Sequence, residues 1–180
     1  MLIEERVRSA VLAAVQAGGY AGVTYEGVAS VSGVAKTTLY RRWPSKAELV
    51  FVMVMHGRQL ASLDCPPTKA DACRVLADRV VTFLGDGAAA QVMPWILLDM
   101  TTDPVLGERL RNGALTDGRN EVGELLDRCQ LAPADGLEVA DVQEILLGAA
   151  QAWITLNPLP VASVRMRLEA LAGALLQARF

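Results

Sequence analysis

The stretch "GVAKTTLYRRWPSKAEL", residues 33 to 49, gathers Lys36, Arg41, Arg42 and Lys46 into eleven positions without one acid among them. Glu48 is the first carboxylate beyond the cluster and Glu26 the nearest before it. The whole chain carries a formal net charge of −3. Surface helices ordinarily mix both signs, so a one-sign cluster between two apolar runs asks for an anionic partner. Val34, Leu39 and Trp43 recur at about helical spacing and form one apolar face. That leaves Lys36, Thr37, Thr38, Arg41 and Arg42 mostly on the other faces.

The flanks of the cluster give it a shape. Thr24 stands where a helix N-cap belongs, before "YEGVASV", and Ser32-Gly33 follows as a turn. Glycine suits that corner because it adopts a left-handed backbone without a steric penalty. A second short helix is expected over 36–43. Pro44-Ser45 interrupts it, and Ser45 with Glu48 at the N3 position forms a capping box for a further helix from Lys46 to about Leu60. Two short helices joined by a tight turn are the geometry of a helix-turn-helix, whose second helix enters the major groove of DNA. Lys and Arg donate to guanine O6 and N7, and Thr offers a hydroxyl to a base edge or a methyl to thymine. The Tyr40 phenol can reach a phosphate. Lys46, at the start of a helix, adds its charge to backbone N–H groups already suited to phosphate.

Charge is unevenly spread. Residues 1–60 hold seven Lys/Arg against four Asp/Glu, or +3, and residues 61–180 hold ten against sixteen, or −6. Such asymmetry points to a nucleic-acid-facing part and a separate part with another task. With 180 residues, 52% of them hydrophobic and 21% charged, the chain can bury a core and does not read as disordered. No apolar run reaches the roughly 18–20 residues that cross a bilayer. "MLIEERVRSAVLAAV" lacks the positive start of a signal peptide, so no membrane partner is expected and the protein is placed in the cytoplasm. Cys65, Cys73 and Cys129 are odd in number and widely spaced, which fits reduced thiols.

The remaining chain reads at helical period. Ile3, Val7, Ala10, Val11, Ala14 and Val15 make one stripe, ended by Gly18-Gly19. After "DCPPTKAD", the strongest break and the expected seam between two parts, helices are expected at about 69–84, 88–101, 104–130, 138–157 and 161–178. Period-2 alternation is missing. The expected fold is all-α, with about nine helices.

The residues from Thr24 to Leu49, T-x-x-x-V-A-x-x-S-G-V-A-K-T-T-L-Y-R-R-W-P-S-K-A-E-L, resemble the DNA-binding segment of the TetR family of transcriptional regulators. The resemblance is dense over about 26 residues and extends to about 55 with the first helix. It implies that Lys36, Thr37 and Thr38 face base edges, with Arg41 and Arg42 on base or phosphate duty. Thr24, Tyr40 and Lys46 would hold phosphates. Ala35 replaces the family's usual Ser, so the second helix of the motif loses its side-chain cap. Trp43 replaces a Phe in the same role. The reading expects no basic arm ahead of the first helix. Residues 1–46 are thus expected to bind double-stranded operator DNA, 46–60 to connect, and 61–180 to dimerise and to bind an effector.

In the acidic part, Val142, Ile145, Ala149, Leu168, Leu171 and Leu175 lie on apolar faces that suit either a monomer core or an interface. The resemblance implies that these last two long helices form the interface of a homodimer. Met93, Trp95, Ile96 and Met100, with Gln151, Trp153 and Thr155 opposite, either fill a core or line an effector pocket. The resemblance implies a pocket whose small, largely apolar ligand releases a repressor from DNA. A TetR-like DNA-binding dimer without a ligand is the first alternative. No cofactor or metal is expected. A helical enzyme built on His56, the one histidine, and Asp99 is the remote alternative, since Asp99 and Asp103 stand near a helix end where capping is the expected role.

Overall fold

The structure is a computed structural model that describes residues 2–55, 68–84 and 87–179. His56, Cys65 and the expected continuation of the fourth helix to Leu60 lie outside the described residues. Among those described, the helices are α1 (Ile3–Gly22), α2 (Tyr25–Ser32), α3 (Lys36–Arg42), α4 (Lys46–Met55), α5 (Lys69–Leu84), α6 (Gly87–Thr102), α7 (Pro104–Leu110), α8 (Thr116–Arg128), α9 (Val139–Thr155) and α10 (Val161–Leu175). A π-helical turn, Arg111–Leu115, joins α7 to α8, and two strands, β1 (Leu131–Pro133) and β2 (Leu176–Ala178), pair antiparallel. The fold is all-α apart from this short ribbon.

The helices sort into two compact units. One comprises α1–α4 together with α6 and α7; the other comprises α5, α8–α10 and the two strands. In the first, α1 buries Val7, Ala10, Val11 and Val15, four members of the expected stripe, and Glu4 and Glu5 in its first turn complement the helix dipole. At Gly18 (φ −149°) and Gly19 (φ 61°) the backbone leaves helical values. The helix therefore breaks at the two glycines, as expected, and a single turn to Gly22 follows across the kink. Leu49, Val50, Phe51, Met53 and Val54 are almost fully buried, so α4 is apolar nearly all round because it is enclosed nearly all round. Ala89, Val92, Met93 and Ile96 make the buried face of α6, which packs on α1 and α4. The first unit thus takes in two helices that follow the Pro66-Pro67 break in sequence, because their apolar stripe finds its cover there.

In the second unit α5 lies against α10 and α9, with Ala72 and Ala172 fully buried where small residues permit close approach. The single helix expected over 104–130 is instead two. Asp103 starts α7, its carboxylate accepting from the N–H groups of Val105 and Leu106 at 3.0 Å, with Pro104 at the first helical position. Gly113 (φ −101°, ψ −113°) then breaks the continuation. The last helix also stops short of 178. Leu176 turns into the ribbon and is buried with Leu131, while the Gln177 side-chain amide donates to the Pro133 carbonyl at 3.1 Å. That burial and pairing outweigh three more helical residues.

Candidate nucleic-acid interface

The α2–α3 unit is assembled by local chemistry. Thr24 Oγ1 accepts from the Gly27 N–H at 3.1 Å, so α2 begins at a satisfied cap. Gly33 ends it at φ 67°, in the left-handed region, and its N–H donates to the Ala29 carbonyl. Ala35 stands at the N-cap of α3 without a side-chain bond. Val34, Leu39 and Trp43 are buried, as the spacing indicates, and Ser45 Oγ accepts from the Glu48 N–H at 3.1 Å to start α4. Only half of the expected capping box is seen in these bonds. The Glu48 carboxylate lies 3.2 Å from Arg109 Nη2, within the same unit, and is turned toward α7.

Tyr25 carries more of this geometry than its place in the sequence suggests. Its ring stacks on Tyr40, centroids 3.9 Å apart, and its hydroxyl donates to the Trp43 carbonyl. Burial, foremost, and the neighbouring Tyr40 push the Tyr25 phenol up to about 12. One side chain therefore fixes both the middle and the end of α3 to the start of α2, and leaves the Tyr40 edge exposed. This stacking joins residues fifteen apart through a turn, and no helical period signals it.

The cations of the cluster differ in their surroundings. Lys36 pairs with Glu26 across from α2 and lies 5.6 Å from the Tyr40 ring centre. Arg42 lies over the Trp43 ring and 3.4 Å from Glu4 of α1. Arg41 and Thr37 are exposed, and Thr38 is half-buried. Lys46 is half-buried, 4.4 Å from the Tyr20 ring centre and 3.5 Å from the Ala21 carbonyl. Burial lowers the Lys46 pKa, and the charge of Asp99 opposes that shift. Asp99 in turn accepts a hydrogen bond from the Tyr20 hydroxyl, and burial with this bond raises the Tyr20 pKa. Of the two carboxylates expected to cap, Asp103 does so and Asp99 holds a tyrosine. Thr24, Lys36, Thr37, Thr38, Tyr40, Arg41, Arg42 and Lys46 all belong to the first unit.

The other predicted residues divide. On α6, Met93 and Ile96 face the core of the first unit, while Trp95 is 54% exposed on the far side and Met100 is half-buried. The four therefore do not line one face. Gln151, Trp153 and Thr155 belong to the second unit, where Gln151 bonds Thr155 one turn on and Arg167 lies 5.6 Å from the Trp153 ring centre. On α9 and α10, Val142 and Leu168 are fully buried in the unit's own core. Ile145 is 37% exposed, and Ala149, Leu171 and Leu175 are half-buried. No single helix among the described residues is long and apolar enough to cross a membrane.

Residues 9–53 match the family described as bacterial regulatory proteins, tetR family. An uncharacterized HTH-type transcriptional regulator of Mycobacterium tuberculosis (strain H37Rv) is 30% identical over 110 residues, 61% of this chain and 54% of the relative. A counterpart from Mycobacterium bovis matches with the same figures. The chain thus spans about half the length of the curated relatives it matches. Among solved structures, the TetR family transcription regulator SCO0332 has a TM-score of 0.70 at 24% identity, covering 94% of this chain and 96% of that one. The TetR transcriptional regulator from Agrobacterium tumefaciens has a TM-score of 0.59 at 16% identity, covering 96% and 91%. The structural likeness shows a shared helical fold. The helix-turn-helix segment of this chain thus matches the tetR family model, and the relatives it resembles are described as HTH-type transcriptional regulators.

Proposed function

We propose that the protein is a DNA-binding transcriptional regulator that reads a palindromic operator as a homodimer and leaves it when a small, largely apolar effector binds. The observation that supports the DNA reading best is the division of α3. Leu39 and the flanking Val34 and Trp43 are buried, whereas Thr37, Tyr40 and Arg41 stand exposed on the other side. On this reading Lys36, Thr37, Thr38, Arg41 and Arg42 meet base edges, and Thr24, Tyr40 and Lys46 hold phosphates. Residues 1–46 read DNA, 46–60 connect, and 61–180 dimerise and sense. A reader of this kind gains affinity from two half-sites a helical turn apart, which favours a two-fold dimer. The test is anisotropy of labelled duplexes from upstream of the protein's own gene, with random duplex as competitor. Competitor-resistant binding of one dimer per palindrome supports the reading; equal, weak binding to both duplexes at physiological salt sinks it.

A second reading, a DNA-binding dimer with no small ligand, is favoured by one observation. Met93 and Ile96 are already enclosed in the core of the first unit, so they offer a ligand no free surface there. Titration of lipophilic compounds against tryptophan fluorescence separates the two readings, because a filled core gives no saturable change.

A further inference from the structure

The first and last residues of α3 are cations, and each meets a carboxylate from another helix, Glu26 for Lys36 and Glu4 for Arg42. The Lys36 pair is the more confined. Its ammonium is held between the Glu26 carboxylate and the Tyr40 ring, and Tyr40 is itself fixed on Tyr25. The ammonium keeps the Glu26 carboxyl below the usual carboxylate range, so the pair is charged at neutral pH. Glu26 stands in the first turn of α2, two residues after the Thr24 cap, and both members of the pair are open to solvent. A carboxylate beside a phosphate-binding surface is repelled by the ligand that the surface attracts. It also competes with that ligand for the same ammonium.

We infer that Glu26 is a specificity-determining residue: it withholds Lys36 from indiscriminate phosphate contact and releases it only at a matching base pair. The inference rests on the DNA-binding reading above. On random DNA, a Lys36–phosphate contact requires parting the ion pair and leaves the Glu26 carboxylate unpaired among phosphates. At a matching site the two groups stay satisfied together. Guanine presents acceptors at O6 and N7, and its partner cytosine presents the N4 amino donor. A lysine and a glutamate held side by side offer the donor and the acceptor that this edge needs. Glu26 therefore lowers affinity for DNA in general and selects for a G·C pair under the start of α3.

The experiment measures anisotropy of the full chain with a random duplex and with the tightest-binding duplex from upstream of its own gene, across a salt series. It compares the natural chain with Glu26→Gln, Lys36→Met and the double variant. Glu26→Gln is expected to bind the random duplex about two- to five-fold more tightly at low salt. It also steepens the logarithmic salt dependence by about 0.9. In the Lys36→Met background the same substitution is expected to give no more than about half of that gain, because there is no ammonium left to release. Selectivity for the upstream duplex should fall in Glu26→Gln. An equal gain with and without Lys36 would show that Glu26 acts only as one negative charge, and it overturns the inference. Binding unchanged by Glu26→Gln overturns it as well. A natural chain that binds neither duplex at low salt overturns the DNA-binding reading itself, an outcome distinct from the other two.

Discussion

At the scale of single residues, the interface depends on a few side chains whose surroundings decide their roles. Gly33 sits at φ 67°, and an added Cβ would find its nearest neighbour, Arg6 Nη1, at 3.6 Å. Space is adequate there, so Gly33→Ala meets only backbone strain, about 1–2 kcal/mol. The expected outcome is a melting temperature lower by roughly 2–8 °C with α2 and α3 otherwise intact by circular dichroism. Both lysines lie by an aromatic ring, but Lys36 is paired with a carboxylate whereas the Lys46 ammonium is near the Ala21 carbonyl. Lys46→Ala should therefore weaken binding to all duplexes alike and flatten the salt slope by about one unit. A changed sequence preference with an unchanged slope would move Lys46 from the phosphates to the bases. Thr38, half-buried on α3, has no charge to lose. Its replacement by Ala should alter base preference at one step per half-site and leave the slope unaffected, as a binding-site selection would show.

At the scale of elements, α3 is seven residues long and starts at an alanine that makes no side-chain cap. So short a helix has little cooperative stability of its own and is held by packing through Leu39 and Tyr25. Ala35→Ser should add an N-cap bond and stabilise the chain by about 1 kcal/mol in thermal or denaturant unfolding. No gain would mean that packing alone already sets the ends of α3. This element was legible in the sequence because everything that shapes it is local: a threonine cap, a left-handed glycine, an apolar triplet at helical spacing. The break between α7 and α8 was not, although Gly113 marks it, because a lone glycine within a periodic run is often tolerated in a helix. The ribbon of β1 and β2 was hidden for another reason. Leu176 fits a helical stripe equally well, and its partner strand lies far back in the sequence at Leu131–Pro133. The buried face of α3, Leu39 with Val34 and Trp43, and the cation cluster around it were readable by residue type and spacing. The charge partners around the cluster were not: Glu26, Glu4 and Asp99 reach Lys36, Arg42 and the Tyr20 phenol only through tertiary approach.

At the scale of the whole molecule, the charge of each part bears on how two copies could assemble. Residues 61–180 carry the −6 that opposes the +3 of residues 1–60, so DNA attracts one part of the chain and repels the other. The proposed dimer is assigned to the acidic part, where like charge resists association unless apolar surface is buried. Within the second unit, Val142 and Leu168 have no surface left to give a partner, whereas Ile145 is 37% exposed at the same apolar flank of α9. That contrast selects the variant. A charge at Val142 would disrupt the core and say nothing about assembly, but Ile145→Asp places a carboxylate on the proposed interface while leaving the core intact. The expected result is a sedimentation coefficient shifted from dimer to monomer, with an unchanged helical spectrum. Binding to a palindromic duplex should weaken strongly, while binding to a single half-site stays as it was, because each protomer keeps its own α3 and loses only the gain from a tethered second copy. If Ile145→Asp remains dimeric, the interface uses other exposed apolar positions of this unit, of which Leu156, Val161 and Met166 are candidates. If it is monomeric yet holds the palindrome as tightly as the natural chain, two-fold reading is not what gives this protein its affinity.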